Sequence, residues 1–557
     1  MSHRSWFLLV LVSLYGLILG QPGLAQPSTP GDAGLEQGMA AIRGQAIRAH
    51  MRFLADDLLE GRATATRGYD IAARYVAAHF EELGLEPAGT GGTYFQSVPM
   101  VRMTTDEPKC SLALLRAGQR TELQFGRDFA TSYAGKASSV TAPVVFAGYG
   151  VTAPELGYDD YAGIDVRGKI VALLIGAPPT FPHDQRAYYS DPRLRSRNAA
   201  AHGAAGALGI ATPVFDRMFP WERMVENIRL PLMTWVDAAG RPSYAPPLGA
   251  ALSRKAAEGL FTGTPHSLAD VFQAADAGRP LSFELPVQAS LSIAGRSESM
   301  ASPNVVAVLP GSDPRLKDEY VVLSAHLDHL GVSTPVAGDT IYNGAYDNAS
   351  GIAILLEVAQ ALSRLPVAPR RSVLFLATTG EEERDNGSEF FAHYPTRPID
   401  HIVANVNLDM VLMLYPLRDV IAFGAEHGTL DGTVKEAAHR LGIAVSPDPF
   451  PEQAMLIRSD NFSFIQQGVP AISLTVGFQK DGSASGGQAL WGAWMHERYH
   501  QPSDDMSQAI DFGAGEQFAK LNFLVSYLLA QDDKAPSWNP GDFFGDKFSH
   551  RNTEAPR

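Results

Sequence analysis

Histidines and carboxylates gather at the ends of apolar runs in the second half of this chain. Ser324-Ala325-His326-Leu327-Asp328 closes one run, Thr378-Thr379-Gly380-Glu381-Glu382 the next, and Asn407-Leu408-Asp409 a third. The loop after the first carries Asn343-Gly344-Ala345-Tyr346-Asp347-Asn348-Ala349-Ser350-Gly351, and Tyr499-His500 comes far downstream. Two His with three carboxylates make a ligand set that suits Zn²⁺, with Mn²⁺ or Co²⁺ able to substitute. A pair of ions sharing one carboxylate would use all five and lower the pKa of a bridging water, so that hydroxide is available near neutral pH. Adjacent glutamates suit such a centre, because one can bind metal while its neighbour handles the water's proton. Asp328, two residues beyond His326, can return from the strand end to fix that imidazole's tautomer. Taken singly, each residue has an ordinary use: a strand-end histidine, a solvated Glu381-Glu382-Glu383 turn, a helix cap at Asp347. Their convergence is the signal, since acidic groups at the ends of apolar central strands are costly unless paired or metal-bound.

Such a centre needs elements to hold it. Tyr320–Ala325, Ser372–Thr378, Ile402–Leu408 and Ala471–Val476 are mostly apolar runs that predict buried, largely parallel strands. Between the first two, Ala349–Leu365 places Ile352, Leu355, Leu356, Ala359 and Leu362 on one helical face, and Phe518–Leu529 reads as a closing helix. Sites in open α/β sheets form beyond the carboxyl ends of the strands. Upstream, Ile42–Gly84 has helical spacing in two pieces, broken at Glu60-Gly61-Arg62. From about Gly135 short β-rich runs, such as Val144-Val145-Phe146 and Ile170–Ile175, alternate with Gly/Pro/Asp turns, with a helix predicted at Ala199–Ala207. The expected division is a signal peptide over 1–25, a flexible leader over 26–35, the first part of a catalytic domain over 36–134, a β-rich insert over 135–265, the rest of the catalytic domain over 266–531 and a polar tail over 532–557.

Of the 557 residues 45% are apolar and 19% charged, ordinary for a globular protein with a sizeable core. A net charge of −15 argues against a nucleic-acid partner. The lone Cys110 excludes an internal disulfide framework and any Cys-rich zinc site, leaving metal to His and carboxylates. His3 and Arg4, the apolar run Trp6–Gly20 and then Gly23-Leu24-Ala25 have the order of a secretory signal peptide. That run is too short for the roughly 30 Å hydrocarbon core of a bilayer. The expectation is an exported protein, periplasmic or extracellular, monomeric and without a membrane anchor after cleavage.

Through Ser324–Asp328, Asn343–Gly351 and Gly380–Ser388, in that order, the second half resembles the co-catalytic zinc peptidases of the aminopeptidase and glutamate carboxypeptidase type. Arg458-Ser459-Asp460-Asn461-Phe462, Gly468-Val469-Pro470-Ala471 and Tyr499-His500 match as well. Leu58-Leu59-Glu60-Gly61-Arg62 and Gly84-Leu85-Glu86-Pro87 resemble the helical lead-in of the family's exported bacterial branch, and 135–265 resembles a protease-associated (PA) domain. The resemblance implies an α/β fold: a three-layer α/β/α sandwich with a mixed, mostly parallel central sheet. It implies that His326 and Asp409 bind one zinc, Glu382 and His500 a second, and that Asp347 bridges both. By the same resemblance Glu381 is the general base, Asp328 orients His326, and Tyr499 donates to the tetrahedral oxyanion. The chain departs from the family pattern at Glu383, Arg384, Asp385 and Asn386, at Asn461 where His is usual, and in the long segment Gly477–Glu497. His329 and His496 match no ligand position and are expected behind the ligands or at the rim. The implied function is an exported di-zinc exopeptidase, an aminopeptidase acting on peptides with a free N-terminus. Its rivals are a carboxypeptidase of the same fold, with Arg458 or Arg384 receiving the α-carboxylate, a one-zinc cyclase of the glutaminyl type, and a non-catalytic binding ectodomain.

Overall fold

The computed structural model describes residues 30–549 apart from 134, 245–247, 280 and 481. The expected signal peptide, the start of the leader and the end of the tail lie outside the described residues. A helix, Pro30–Ala41, stands where the leader was expected to run flexible to residue 35. Leu35 is buried in the core, and Gly38 lies so close to Phe523 that a side chain there would collide with the ring. Small residues thus let this helix dock.

Among the described residues the main sheet has ten strands. Across it run Leu232–Trp235, Phe95–Thr105, Gly295–Leu309, Ser372–Thr378, Tyr320–His326, Ile402–Asn407, Ala471–Val476, Asp419–Phe423 and Ala444–Ser446, with Glu86–Pro87 pairing beside Gly295–Leu309. The four predicted strands are all present, and they are the parallel centre, with Tyr320 opposite Ser372, Leu323 opposite Val406, and Val406 opposite Ile472. Beyond these four the pairing is mixed, with Asp419–Phe423 and Ala444–Ser446 again parallel. Phe95–Thr105 and Gly295–Leu309, long arms leading into and out of a second sheet, pair antiparallel, and so do Asp419–Phe423 and Ala471–Val476.

Alternation along the central strands makes three layers. Val321, Leu323, Phe375 and Val406 pack with Ile47, Ile352 and Phe518, from the helices Gly44–Leu54, Ser350–Ser363 and Phe512–Gln531. Val322, Leu374 and Leu376 pack on the other side with Phe391, Phe464 and Phe544. Ser350–Ser363 is buried almost all round, which suits its near-continuous apolar sequence.

The second sheet spans more chain than the 135–265 expected for the insert. Its eight strands include Ser111–Arg116 on one side of that range and Ser282–Ile293 on the other, the latter antiparallel to Ser138–Ala147. Pairing between strands this far apart in sequence leaves no local signal. Leu232–Trp235 lies within the expected insert yet leaves it to join the main sheet beside Phe95–Thr105. The helix predicted at Ala199–Ala207 lies earlier, at Pro192–Ala201. Asp191 accepts the Arg193 N–H to cap its start, and Gly203, at φ +82°, follows its end. Gly206–Ile210 is instead a central strand between Ile170–Leu174 and Gly249–Leu252.

The polar, Pro-rich tail, expected to be draped over the surface or loose, folds back onto the domain as far as residue 549. Phe543–Phe548 is a helix whose Phe544 and Phe548 are buried against Phe462. His427 Nδ1 lies 2.6 Å from the Asp542 carboxylate that caps this helix. Burial alone would lower the His427 pKa, but the hydrogen bond and charge of Asp542 outweigh it and raise the value above 6.5. The stabilisation is therefore complete below about pH 6.5, the unfolded value, and is lost as pH rises through the higher folded value. Hydrogen exchange over residues 533–549 should accelerate across that rise beyond the intrinsic rate, and His427→Gln should flatten the profile. An unchanged profile in the variant would remove the ion pair from the account.

Candidate metal centre

The parallel strands Tyr320–His326, Ser372–Thr378 and Ile402–Asn407 end side by side, and the turns after them bring His326, Glu381, Glu382 and Asp409 together. Asp347 enters from the loop before the Ser350–Ser363 helix, and His500 from the segment after the Ala484–Glu497 helix. Asp347 is 3% exposed and stands between two halves. Its Oδ1 is 3.3 Å from His326 Nε2 and its Oδ2 is 3.3 Å from His500 Nε2. Asp409 Oδ1 lies 3.1 Å from the first imidazole nitrogen and Glu382 Oε2 lies 3.2 Å from the second. Two donor atoms bound to one tetrahedral zinc at about 2.1 Å stand about 3.4 Å apart. The observed separations are close to that value in both halves, so the donor set fits metal. Glu381 stands further back, its Oε2 3.9 Å from His326 Nε2.

The electrostatics point the same way. Burial pushes Glu381 well above the ordinary carboxylate range, with His326 opposing the rise and Asp409 adding to it. Burial would also raise Asp347, but hydrogen bonds from His326 and His500 hold it well below its usual value. Against burial and the charge of Asp347, His500 and His329 hold Glu382 at about 2. Burial opposes the protonation of His500, yet Glu382 and Asp347 raise it to about 10. Crowded, buried like charges of this kind are what divalent cations relieve.

Two residues behave differently from expectation. His326 Nδ1 lies 3.2 Å from the main-chain carbonyl of Asp328, not from its carboxylate. That carboxylate accepts the N–H groups of Glu381 at 3.2 Å and Glu382 at 3.3 Å and the hydroxyl of Thr64 at 3.3 Å. Because neighbouring parallel strands end together, Asp328 reaches the next turn and orders the glutamate pair. His329 is completely buried inside the cluster, with Nδ1 2.6 Å from Glu382 Oε1 and 3.9 Å from Asp347 Oδ2. Its place in the run His326-Leu327-Asp328-His329 was the one available signal. Tyr499 stacks on His500 with ring centres 3.9 Å apart. Burial, reinforced by Asp347 and Glu382, raises its pKa, which keeps the phenol a proton donor. His496 is exposed on its helix.

Two supporting residues escaped the sequence reading. Asp504 is fully buried and accepts the N–H groups of Tyr346 at 3.0 Å and Asp347 at 3.1 Å, so it sets the loop that carries the central aspartate. Arg62, also fully buried, donates to the carbonyls of Leu327 (3.0 Å), Asn343 (2.6 Å), Gly344 (3.0 Å) and Leu54. One guanidinium thereby clasps the His326 and Asp347 loops. Burial lowers its pKa to about 10, which leaves it charged at neutral pH. Arg62→Met should destabilise the fold by on the order of 3 kcal/mol, read by denaturant unfolding, because four buried carbonyls lose a charged donor.

The departures from the family pattern have structural uses. Asn386 Oδ1 accepts the Trp235 N–H at 2.7 Å, Trp235 Nε1 donates to Glu389 at 2.9 Å, and Arg193 reaches Asp385 at 3.9 Å and Glu389 at 3.8 Å. The chain after the glutamate pair is thus held by residues from the 191–235 stretch. Gly477–Glu497 contributes the Ala484–Glu497 helix, whose Trp491 stacks on Phe450 at 5.8 Å. These rings help wall a cavity of about 90 Å³ that opens beside Asp409 and has Arg458 in its lining.

A three-layer α/β domain with two His–carboxylate pairs across one aspartate, at the carboxyl ends of its parallel strands, has the form of a metallohydrolase. Residues 304–525 match Peptidase family M28. It is similar to a probable zinc metalloprotease of Pyrenophora teres f. teres, 27% identical over 280 residues, which are 45% of this chain and 54% of that protein. It is also similar to aminopeptidase Y of Saccharomyces cerevisiae, 27% identical over 257 residues, 44% of this chain and 43% of the relative. The chain thus spans about half the length of these curated relatives. The solved aminopeptidase from Aneurinibacillus sp. strain AM-1 superposes over 91% of this chain and 99% of its own, with a TM-score of 0.51 at 18% identity, a likeness of fold. Among the described residues no helix is long and apolar enough to cross a membrane.

Proposed function

We propose that this chain is an exported zinc aminopeptidase with two ions per chain, hydrolysing N-terminal residues from peptides, with its second sheet belonging to a PA-type insert. The observation that carries the reading is Asp347, whose two oxygens each face a separate His–carboxylate pair. Export rests on the charged, apolar and small-residue order of residues 1–25. His326 and Asp409 would hold one ion, Glu382 and His500 the other, and Asp347 both. When bound, the ions polarise the scissile carbonyl and acidify the attacking water.

The chain's own residues supply the rest. Glu381, set back from the ligands, takes the proton of the water and passes it to the leaving amine. Asp328, through the N–H groups of Glu381 and Glu382, keeps one glutamate aimed at metal and the other at the proton. The Tyr499 hydroxyl donates to the developing oxyanion. The apolar cavity beside Asp409 receives the N-terminal side chain.

A second reading, a carboxypeptidase of the same family, is favoured by Arg458 in that lining, which could receive an α-carboxylate. A panel of aminoacyl-anilides and N-blocked peptides separates the two. Cleavage of free but not blocked N-termini, abolished by a chelator and restored by Zn²⁺, is the expected result. Cleavage of N-blocked peptides from their C-termini would replace the first reading by the second, and chelator-resistant turnover would sink both.

A further inference from the structure

The second sheet holds a charged group that nothing in the peptidase mechanism uses. Arg195 sits on the Pro192–Ala201 helix, is only 8% exposed, and lines a cavity of about 270 Å³. One of its nitrogens donates to the Leu174 carbonyl at 2.8 Å, but its buried Nε has no hydrogen-bond partner among the described residues. Nearby acids are committed elsewhere. Asp191 accepts the Arg193 N–H at 2.7 Å and lies 3.6 Å from the Arg193 guanidinium. Asp160 accepts from the Tyr149 and Val151 N–H groups and the Tyr158 hydroxyl. Asp191 acts on Arg195 electrostatically, but no carboxylate of the described residues ion-pairs with it; a buried guanidinium so placed is costly, and a planar two-oxygen anion matches its fork. The other walls are mostly aliphatic, with Leu173, Ile175, Leu208 and Ile228, and carry the hydroxyl side chains of Thr131, Ser132, Ser196 and Tyr244.

We infer that this cavity binds a carboxylate that carries an apolar body. A single cation balances one negative charge, whereas a phosphate dianion would find no second cationic side chain among the described lining residues. The cavity is well above the roughly 150 Å³ that accommodates benzene in an apolar protein cavity, so a branched aliphatic acid or the C-terminal residue of a peptide fits it. Both sources present the same chemistry to Arg195.

Calorimetric titration of the full, zinc-loaded protein tests the inference with 4-methylpentanoate, its amide, and N-acetyl-Gly-Leu with a free carboxylate. At least one acid should bind one-to-one, and 4-methylpentanamide should bind at least about tenfold more weakly than its acid. Tighter binding of the dipeptide would assign the site to peptide C-termini, and tighter binding of 4-methylpentanoate to free acids. Arg195→Met should weaken the acids at least about tenfold while leaving turnover of an aminoacyl-anilide unchanged, since Arg195 lies outside the metal centre. Equal binding to the variant would place the acids elsewhere, at the metals for example, and would overturn the proposal, as would the absence of binding by both acids. Should the variant fail to fold, Ile228→Trp, which narrows the same cavity away from the metal centre, should likewise weaken the acids at least about tenfold, and unchanged binding to it, or equal affinity of the unaltered protein for acid and amide, rejects the site.

Discussion

Glu381→Gln is expected to lower kcat by about 10²–10⁴-fold while the zinc content of the protein stays at its original level. The expectation rests on distance. Asp409 and Asp347 approach His326 Nε2 to 3.1 and 3.3 Å, the spacing of atoms that share an ion, whereas Glu381 remains at 3.9 Å. A carboxylate at that remove, drawn toward holding a proton by burial, is placed to exchange protons rather than to ligate. Glutamine keeps the shape and the Glu381 N–H bond to Asp328 but can neither accept nor return a proton. Kinetics and metal analysis on the same preparation give the answer. Loss of zinc along with activity would make Glu381 a ligand; retention of both would remove it from the mechanism.

Asp347→Asn should act on the metal itself, removing most of the bound metal and lowering kcat/KM by more than about a hundredfold. The side chain is almost the same size, so the far-UV circular dichroism should not change. What changes is the pairing, because one oxygen now faces one imidazole while an amide N–H₂ is turned toward the other. Both His326 and His500 lie 3.3 Å from Asp347, so each half-site loses half of its shared charge or all of one acceptor. Elemental analysis should show substoichiometric zinc. A variant that kept two ions per chain would show that the aspartate does not bridge.

Much of this architecture is legible in the residues themselves. Tyr320–His326, Ser372–Thr378, Ile402–Asn407 and Ala471–Val476 are mostly apolar runs, and burial on both faces leaves such runs few alternatives to a central parallel strand. His326, Asp409 and the glutamate pair could be read together because each follows directly on one of those strands. The same reading misplaced the edges. The arms 95–105 and 295–309 and the outer strands of the second sheet take their conformation from partners far away in sequence, as do the docked Phe543–Phe548 helix and Pro30–Ala41. Asp328 shows the same limit within the site, for its spacing to His326 was visible but the turn beside which it would land was not.

The amino-acid sequence alone determined which groups are available: two histidines and three carboxylates in motif order, one cysteine that cannot take part, and a glutamate next to a glutamate. Strand periodicity is local chemistry, and it was enough to put most of these groups at one end of a sheet. Only the tertiary structure decided that Asp347 lies between His326 and His500, that His329 is enclosed with them, and that Arg62 and Asp504 hold the loops in place. Those are contacts between segments scores to hundreds of residues apart, and their geometry depends on how strands order and helices pack, which no short stretch of sequence encodes.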